Sequence, residues 1–437
     1  MTLKFDELTE KPLRMRWVMI GFAFLATVLN YIHRLSFNYL SADGELRKLI
    51  PDDAFGYIAT AFMIAYGLSN AFSGLVIDRL GTRLGYSLCM AFWTTAGLFH
   101  AFAITPLQFG ICRFFLGVGE AGNWPAALRL TSEWFPPRER STAAGIFNSG
   151  SALGAIIAPP LVAVMAINYG WQYTFIILAL FGYLWIAAFW FSYYTPGKSA
   201  KEAKSRVVPA FKLLKNKFVS RLLLAKIFIE PVWYFVTFWI GRYLADVHHW
   251  DLKTIGWFAI IPFIMADVGN IIGGYFTQFI IKKGIPIPRA RRIALILAGI
   301  LMALPLLVAP IAVTTPMSAL IMFGISGFGY TMYTANALAL TADVVPKSSA
   351  ASAWGLACIG NGIGGAIFQS LSGLTLKGFS KTLGYGGAYN ILFLGFGILV
   401  VIGLIILVFL SGSFERNKEL QEYAENENLL LSKTKLS

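Results

Sequence analysis

The stretch GLVIDRLGTR, residues 74–83, places three charged side chains and two glycines at the junction of two long apolar segments. These segments, residues 54–78 and 84–104, are each long enough to cross a hydrocarbon core of about 30 Å as a helix. Arginine side chains interact favourably with the carbonyl groups at a helix C-terminus, and an aspartate can cap or pair near a helix end. The stretch therefore predicts a short polar connection between two membrane helices.

Apolar runs of this length recur along nearly the whole chain of 437 residues. The composition is 57% hydrophobic and 13% charged, which leaves too little polar surface for a soluble protein of this size. We therefore predict an all-α polytopic membrane protein whose partner is the lipid bilayer. Its twelve transmembrane helices are expected at residues 17–41, 54–78, 84–104, 106–130, 141–166, 171–194, 220–246, 254–281, 291–312, 315–340, 349–376 and 385–411.

One internal connector is much longer than the others. Residues 195–219 contain Pro196, Gly197 and seven lysines or arginines, and they separate six predicted helices from the next six. The first predicted span is longer than the apolar core of a signal peptide, and no small-residue cleavage pattern follows it, so we expect it to be retained. The predicted organisation is an N-terminal six-helix half (1–194), a cytoplasmic linker (195–219), a C-terminal six-helix half (220–411) and a cytoplasmic tail (412–437).

The basic residues are distributed unequally between the two sides of the predicted membrane. Of the 36 lysines and arginines, 26 fall on the side that holds both termini and 6 on the other, so both termini are predicted to be cytoplasmic. The net charge of +14 is explained by this topology, and no nucleic-acid partner is expected. The three cysteines lie far apart inside predicted spans, without metal-ligand spacing, and are interpreted as apolar core residues.

The two halves resemble each other, which is typical of transporter folds built by duplication. A shift of 200 residues aligns Gly74 with Gly274 and Arg83 with Lys283, but it places Gln278 where the first half has Asp78. The polar connection after span 2 therefore repeats in weaker form after span 8. A shift of 210 residues aligns Thr131 with Thr341, Glu133 with Asp343, Pro136 with Pro346, Gly145 with Gly355, Gly150 with Gly360 and Gly154 with Gly364. Spans 4 and 5 therefore repeat as spans 10 and 11.

Residues 74–83 also match a known signature. They resemble the G-x3-D-R-x-G-x-R/K cytoplasmic motif of the major facilitator superfamily. The resemblance implies a fold of two pseudo-symmetric six-helix halves and a latch that holds them in one conformation. The alternative is a basic loop that only sets the topology. The latch residues would be Gly74, Asp78, Arg79, Gly81 and Arg83.

Longer stretches narrow this resemblance to one branch of the superfamily. They are similar to the anion:cation symporters, in particular the hexuronate and other sugar-acid transporters, over nearly the whole chain. The stretches are GVGEAGNWPA (117–126), EWFPPRER (133–140), FNSGS (147–151), APP (158–160), PVWY (231–234) and RYLAD (242–246).

Charged residues within the spans are functional candidates, because burying a charge in a membrane is costly. Arg34 and Arg113 offer the planar fork that matches a carboxylate, and the resemblance implies that Arg34 binds the carboxylate of the substrate. The alternative for Arg34 is a side chain that extends to the outer membrane interface. Glu120 lies two helical turns after Arg113, and the resemblance assigns it to proton coupling; the alternative is a static ion pair.

His33 and Asp267 are further candidates for proton coupling. Several relatives carry an aspartate immediately before the first-helix arginine, where this chain has His33, which titrates near neutrality. A packed polar residue is the alternative interpretation of His33. Asp267 lies near the centre of span 8 and should be paired or protonated there. Lys226 and Glu230 are four residues apart on span 7 and are interpreted as a structural pair.

Polar and aromatic residues in the spans complete the predicted binding site. Tyr66 and four amide side chains are candidates for hydrogen bonds to substrate hydroxyls, and Trp233 and Tyr234 offer faces for a sugar-like ring. For each residue alone, a structural role in helix packing is an equally good interpretation. The amides are Asn148, Asn336, Asn361 and Gln369, and glycines predicted to mark close helix contacts are 145, 150, 154, 355, 360, 362, 364 and 365.

The leading functional hypothesis is proton-coupled symport of a small organic anion, such as a hexuronate or a similar monocarboxylate, by alternating access. Export of an anionic metabolite, siderophore or drug is the alternative, and a membrane sensor is a further one. No nucleotide-binding loop, paired nucleophile or metal cluster is recognisable, so we predict that the chain is not an enzyme and needs no cofactor beyond the coupling proton. A monomer in the cytoplasmic membrane of a bacterium is expected.

Overall fold

A computed structural model gives the arrangement of the chain, and it describes residues 15–420 except 43, 136–138, 195–207, 347–348, 413, 416 and 419. Much of the predicted linker, most of the predicted tail and three residues of the EWFPPRER stretch therefore lie outside the described residues. Every element described below is helical.

The described residues of the first half form eight α-helices. The 3₁₀ turn His100–Phe102 extends the fourth helix towards the next connection. The fourth predicted span corresponds to two helices, because the chain leaves the helical path directly after Glu120. The helices are α1 Met15–Leu40, α2 Gly44–Leu49, α3 Asp52–Leu80, α4 Thr82–Phe99, α5 Pro106–Glu120, α6 Asn123–Trp134, α7 Arg140–Tyr169 and α8 Trp171–Ser192.

The second half follows a similar order. Spans 11 and 12 of the sequence prediction form one long helix that turns at Gly384, where φ is +69° and only glycine is comfortable. A π turn, Ile405–Phe409, ends that helix. The helices are α9 Ala210–Lys215, α10 Lys217–His248, α11 Leu252–Phe258, α12 Ile261–Lys282, α13 Ile287–Ala312, α14 Pro316–Val344 and α15 Ala350–Leu404.

Membrane spans can be recognised by length and composition alone. Among the described residues, seven helices are long and apolar enough to cross a membrane, and an eighth is obtained if the bent helix Asp52–Asn70 and Phe72–Leu80 counts as one span. Both α5 and α6 are shorter than a full span, and α15 covers two of the predicted spans. The helices cover all twelve predicted spans, and the all-α prediction is confirmed.

Residue contacts divide the chain into two compact units. The first contains residues 1–49 and 61–200, and the second contains residues 50–60 and 201–437. The start of α3 belongs to the second unit through polar contacts: Arg242 donates to Asp52 Oδ1 at 3.0 Å and to the carbonyl of Ile50 at 2.9 Å. Tyr385 also donates to Asp52. The predicted boundaries at 194, 219 and 411 remain predictions.

Glycines allow the closest helix contacts. In the first unit, a Cβ on Gly154 would lie 2.7 Å from the carbonyl oxygen of Val28, so α7 and α1 touch backbone to backbone. In the second unit, a Cβ on Gly364 would overlap the carbonyl oxygen of Ile227, so α15 and α10 pack in the same way. Gly145 and Gly355 differ from the expectation, because an added Cβ at either would meet no described atom within 4 Å.

Candidate functional site

An ion pair between α1 and α5 forms the centre of the first unit. Arg34 Nε donates to Glu120 Oε2 at 2.8 Å, and the glutamate side chain is completely buried. Arg34 Nη2 also donates to Asn30 one turn earlier on α1, at 3.3 Å. Glu120 is the last residue of α5, so its side chain is held at a break in the helix, after which Asn123 begins α6.

Aromatic rings surround the Arg34 guanidinium. Its carbon lies 5.0 Å from the ring centre of Tyr31, 5.3 Å from that of Phe62 and 4.7 Å from that of Tyr66. Tyr66 and Phe62 stack on each other with ring centres 5.7 Å apart. Ring faces attract a cation without neutralising it, so this cage keeps the charge of Arg34 available to a carboxylate.

Arg113 supports α1 and does not contact Glu120. Its Nη1 donates to the backbone carbonyl of Arg34 at 2.8 Å, and its Nη2 donates to Asn38 Oδ1 at 3.1 Å. The side chain is 1% exposed and lies against the ring of Phe37. Arg113 therefore fixes the backbone at Arg34 and adds positive charge near it, whereas the prediction made it a substrate ligand.

One oxygen of Glu120 has no hydrogen-bond partner. Oε2 is bound by Arg34, but Oε1 is buried and accepts no hydrogen bond from any described residue. An unsatisfied oxygen on a buried carboxylate is costly, and a proton or the hydroxyl of a ligand would remove the penalty. The pair is thus prepared to take up one more group.

His33 points away from this pair. Its Nε2 lies 3.2 Å from the carbonyl oxygen of Leu178 on α8, and its Nδ1 occupies the space beside Gly97 on α4. The ring is 3% exposed. A hydrogen bond to a carbonyl requires the proton on Nε2, which leaves Nδ1 against an apolar backbone. This geometry favours the packed polar residue among the two interpretations of His33.

Asn148 is the predicted ligand of the first unit whose side chain makes no hydrogen bond with a described residue. It is exposed on α7, and its backbone carbonyl accepts a hydrogen bond from Ser151. The structure thus brings Arg34, Tyr66 and Glu120 into one cluster, with Arg113 behind it, and a ligand role of Asn148 remains a prediction.

In the second unit, two stacked aromatic rings connect α10 and α14. Trp233 of α10 stacks on Tyr330 of α14 with ring centres 5.1 Å apart and planes 4° from parallel. Tyr234 and Gln369 line one narrow gap beside this helix, which is too small to hold a water molecule. Gln369 Oε1 accepts a hydrogen bond from Trp239 at 2.6 Å, which leaves its amide nitrogen available.

The two remaining amides differ in their hydrogen bonding. Asn336 binds Thr277 and Arg291 through Oδ1, and it binds backbone carbonyls through Nδ2, so it connects α14 to α12 and α13. This makes a structural role the better interpretation of Asn336. Asn361 has a buried Oδ1 without a partner among the described residues, and it remains a candidate ligand.

Two groups of charges in α10 and α12 behave differently. Asp267 is half-buried and makes no hydrogen bond or ion pair with a described residue, so the protonated form is the alternative that stays a prediction. Lys226 and Glu230 form the predicted pair at 2.6 Å, and both side chains are 1% exposed. Tyr330 donates to the second oxygen of Glu230 at 2.6 Å, so this pair adjoins the stacked rings.

Comparison with known proteins places these features in a family. The sequence profile of the Major Facilitator Superfamily matches residues 14–369, which is most of the chain. This chain belongs to the Major Facilitator Superfamily. It is therefore a multi-pass membrane transporter and not an enzyme, and the prediction from residues 74–83 is confirmed.

Curated relatives place the chain in the sugar-acid branch of this superfamily. The hexuronate transporter of Escherichia coli (strain K12) is 30% identical over 398 residues, which cover 86% of this chain and 90% of that one. The galacturonate transporter of Dickeya chrysanthemi is 30% identical over 287 residues, covering 61% and 83% respectively.

A solved structure agrees with the superfamily fold. A bacterial homolog of the human lysosomal transporter Spinster superposes with a TM-score of 0.78 at 18% identity, covering 92% of this chain and 98% of that one. At this identity the likeness concerns the fold alone. The prediction of twelve helices in two pseudo-symmetric halves is confirmed.

The signature residues of the superfamily take defined positions in the first unit. Asp78 pairs with Arg129 of α6 at 3.3 Å, and Arg129 also binds the carbonyl of Ile77 and the carboxylate of Glu133. Arg83 donates to the carbonyl of Trp190 on α8 at 2.7 Å. These contacts join the end of α3 to α6 and the start of α4 to α8.

The two glycines of the signature, Gly74 and Gly81, differ in their structural surroundings. Gly81 has a φ of +80° between α3 and α4, a conformation that favours glycine. A Cβ on Gly74 would meet no described atom within 4 Å, so close packing against a described residue does not require glycine there. Arg79 is exposed. A role of these residues as a latch remains a prediction.

Sequence reasoning missed several residues of this superfamily member's site. Tyr31, Phe62 and Asn30 contact Arg34, but uncharged residues in an apolar span carry no signal of their own. Tyr330 could have been found, because the shift of 210 residues places it at the repeat position of Glu120. Arg129 could have been found by its charge, since it lies inside a predicted span.

Proposed function

We propose that this chain is a proton-coupled symporter of a small sugar acid with one carboxylate, such as a hexuronate, and that it works by alternating access. The observation that carries this proposal is the Arg34–Glu120 pair, buried in an aromatic cage with Glu120 Oε1 unsatisfied. The names of the curated relatives, hexuronate and galacturonate transporters, support the choice of substrate class.

The pair couples a proton to an anion by charge balance. With Glu120 ionised, Arg34 is neutralised by it, and a second carboxylate has little reason to bind. When a proton adds to Glu120 the ion pair ends, and Arg34 becomes an unpaired cation in a low-dielectric site, where it attracts the substrate carboxylate strongly. Proton and anion therefore enter together and leave together, as symport requires.

Other groups would orient the sugar. Tyr66 lies in the arginine cage with its hydroxyl available for a substrate hydroxyl. In the second unit, Trp233 offers a ring face, and Asn361 and Gln369 offer amide groups. These assignments are proposals, and Asn148, Asn336 and Tyr234 rank after them.

The same proposal includes placement in the membrane. We propose a monomer in the cytoplasmic membrane of a bacterium with both termini in the cytoplasm, because the lysine and arginine distribution favours that orientation. The signature residues 74–83, with Arg129, would control the change between conformations.

Proteoliposomes would test the transport proposal. We expect radiolabelled D-galacturonate to accumulate under an inward proton gradient, and amino acids and dicarboxylates to be weaker substrates. Glu120→Gln should abolish accumulation driven by the gradient, since its side chain carries no exchangeable proton. Arg34→Gln should abolish uptake and exchange alike.

Two results would contradict the proposal. Uptake of every acid that is unchanged by Arg34→Gln would remove the anion site, and net flux outward under an inward gradient would identify an exporter. Asn168→Ala is a suitable control, because this exposed side chain at the end of α7 donates to the carbonyl of Val164 and has no proposed role.

A further inference from the structure

The second unit contains a buried ion pair that the proposed mechanism does not use. Lys226 Nζ and Glu230 Oε1 are 2.6 Å apart, and both side chains are 1% exposed within the membrane helix α10. Removing two charges from water costs several kcal/mol, and an apolar pair of similar volume is often at least as stable. Stability of the fold is therefore a weak reason for this pair.

The attraction within the pair does not itself join two helices. Lys226 and Glu230 lie four residues apart on the same helix, so their attraction acts within α10. The contact between α10 and α15 is made by glycines, among them Gly364 against Ile227. The hydrogen bond that reaches Glu230 from another helix comes from Tyr330, at 2.6 Å.

Tyr330, which binds this pair, occupies the position in the second repeat that corresponds to Glu120 in the first. A shift of 210 residues places Tyr330 where the first repeat has Glu120. The glycine contacts of α1 and α10 give an offset of 199 residues, which places Trp233 where the first repeat has Arg34. The carbonyls that face these glycines belong to Phe24 and Val28 in α1, and to Leu223 and Ile227 in α10.

The surroundings of the pair contain unused polar capacity. The hydroxyl of Tyr333 on α14 is buried without a partner among the described residues, and it interacts electrostatically with Glu230. The ammonium of Lys226 lies 4.1 Å from the ring centre of Trp354 on α15. A ligand oxygen near Glu230 would find a free donor in Tyr333.

The charge balance is the same as for Arg34 and Glu120. When Glu230 is ionised, the pair is neutral. A proton on Glu230 leaves the ammonium of Lys226 without its partner, and the ring face of Trp354, 4.1 Å away, then stabilises the unpaired cation. We propose that Lys226 and Glu230 form a second proton-binding site, which rests on the proposed function and adds a second proton to each transport cycle without a second anion.

The number of protons per substrate tests this inference. In proteoliposomes, the reversal potential for D-galacturonate gives the ratio directly, and we expect the loss of one proton per acid in the double variant Lys226→Met/Glu230→Gln. A matched control is Asp53→Asn/Lys377→Met, which removes a Lys–Asp pair of the same 2.6 Å length whose lysine is 63% exposed. The control should keep the wild-type ratio.

A second variant tests the inference in case the double variant does not fold. Tyr330→Phe keeps the ion pair and the stacked ring but removes the hydrogen bond to Glu230. The pH at which substrate exchange is half-maximal should then shift relative to the wild type. An unchanged ratio in the double variant, or an unchanged pH profile in Tyr330→Phe, would overturn the inference. Wild-type protein that transports no acid would instead overturn the proposed function.

Discussion

Arg34 and Glu120 are 86 residues apart in the chain, and each is acceptable in a membrane helix because of the other. The pair is not fully satisfied, since Glu120 Oε1 lacks a donor and the rings around Arg34 attract its charge without neutralising it. The guanidinium of Arg113, by contrast, donates hydrogen bonds to the carbonyl of Arg34 and to Asn38. At the scale of residues, a reactive pair is thus held by a supporting arginine.

His33 provides a prediction at this scale. We expect His33→Gln to keep the pH profile of sugar-acid uptake, because the glutamine amide can replace Nε2 as the donor to Leu178 and no proton site is lost. Stability should fall by no more than about 1 kcal/mol. Uptake over a pH series, together with thermal unfolding in detergent, would measure both effects.

His100 is the matched control for this variant. Its Nδ1 lies 2.8 Å from the carbonyl of Ala96, and its ring stacks on Phe175, so it is another buried histidine in a structural setting. His100→Asn should also leave the pH profile unchanged. If His33→Gln alone abolished accumulation driven by a proton gradient, His33 would be a coupling residue, contrary to the packing interpretation.

Helix breaks and helix contacts place these side chains. The end of α5 at Glu120 and the start of α6 at Asn123 turn the carboxylate towards α1, whereas an unbroken helix had been predicted over residues 106–130. Small residues then bring backbones together, since the helices of a membrane protein gain stability by packing at short range. Gly150 and Gly154 hold α7 against α1, which carries Arg34.

Gly154→Ala should weaken this contact. The added methyl group would lie 2.7 Å from the carbonyl oxygen of Val28, and overpacking of this kind costs about 1–3 kcal/mol. Gly145→Ala on the same helix meets no described atom within 4 Å and should be neutral or slightly stabilising. Thermal unfolding of both variants in detergent would compare them, and equal melting temperatures would contradict the prediction.

The start of α3 gives a second prediction for an element. Arg242 is completely buried, and it binds Asp52 and the carbonyl of Ile50. Arg242→Met removes the buried guanidinium that binds the Asp52 carboxylate and the carbonyl of Ile50, at a cost of about 3–5 kcal/mol. The measurement is the melting temperature of the purified protein.

A compensating variant makes this prediction specific. In Asp52→Asn/Arg242→Met both charges of this ion pair are removed together, so part of the lost stability should return. If the double variant were less stable than Arg242→Met alone, the buried charge on Asp52 could not be the source of the loss.

At the scale of the whole molecule, the repeat is preserved in packing but not in chemistry. Gly154 and Gly364 make equivalent contacts, yet the position of Arg34 is taken by Trp233, and that of Glu120 by Tyr330. One unit thus provides an ion pair, while the other provides stacked rings with an ion pair beside them.

The orientation of the chain in the membrane is testable at this scale. In a background without Cys89, Cys112 and Cys358, we expect Asp251→Cys to react with an impermeant thiol reagent from outside intact cells. Lys283→Cys should react only after the membrane is opened, because positive residues favour the cytoplasm. The reverse pattern of labelling would contradict the proposed topology.

Much of the candidate site could be predicted from the sequence, because charge in an apolar span is a rare and strong signal. Arg34, Arg113 and Glu120 were identified in this way, and the structure brings Arg34 and Glu120 together. Uncharged polar residues gave no comparable signal, because an asparagine in the sequence is equally compatible with binding a ligand and with binding a neighbouring helix. Asn336 could therefore not be separated from Asn361 before their hydrogen bonds were known.

The sequence by itself determined the class of this protein, since apolar segments of membrane length, the basic residues between them and residues 74–83 are local properties of the chain. Only the tertiary structure decided which charges are partners, because pairing depends on how helices far apart in sequence cross. In the structure, Glu120 pairs with Arg34, Asp52 with Arg242 and Asp78 with Arg129. It also left Glu120 Oε1 unsatisfied, and in a low-dielectric interior that missing partner is costly enough to favour a proton or a ligand.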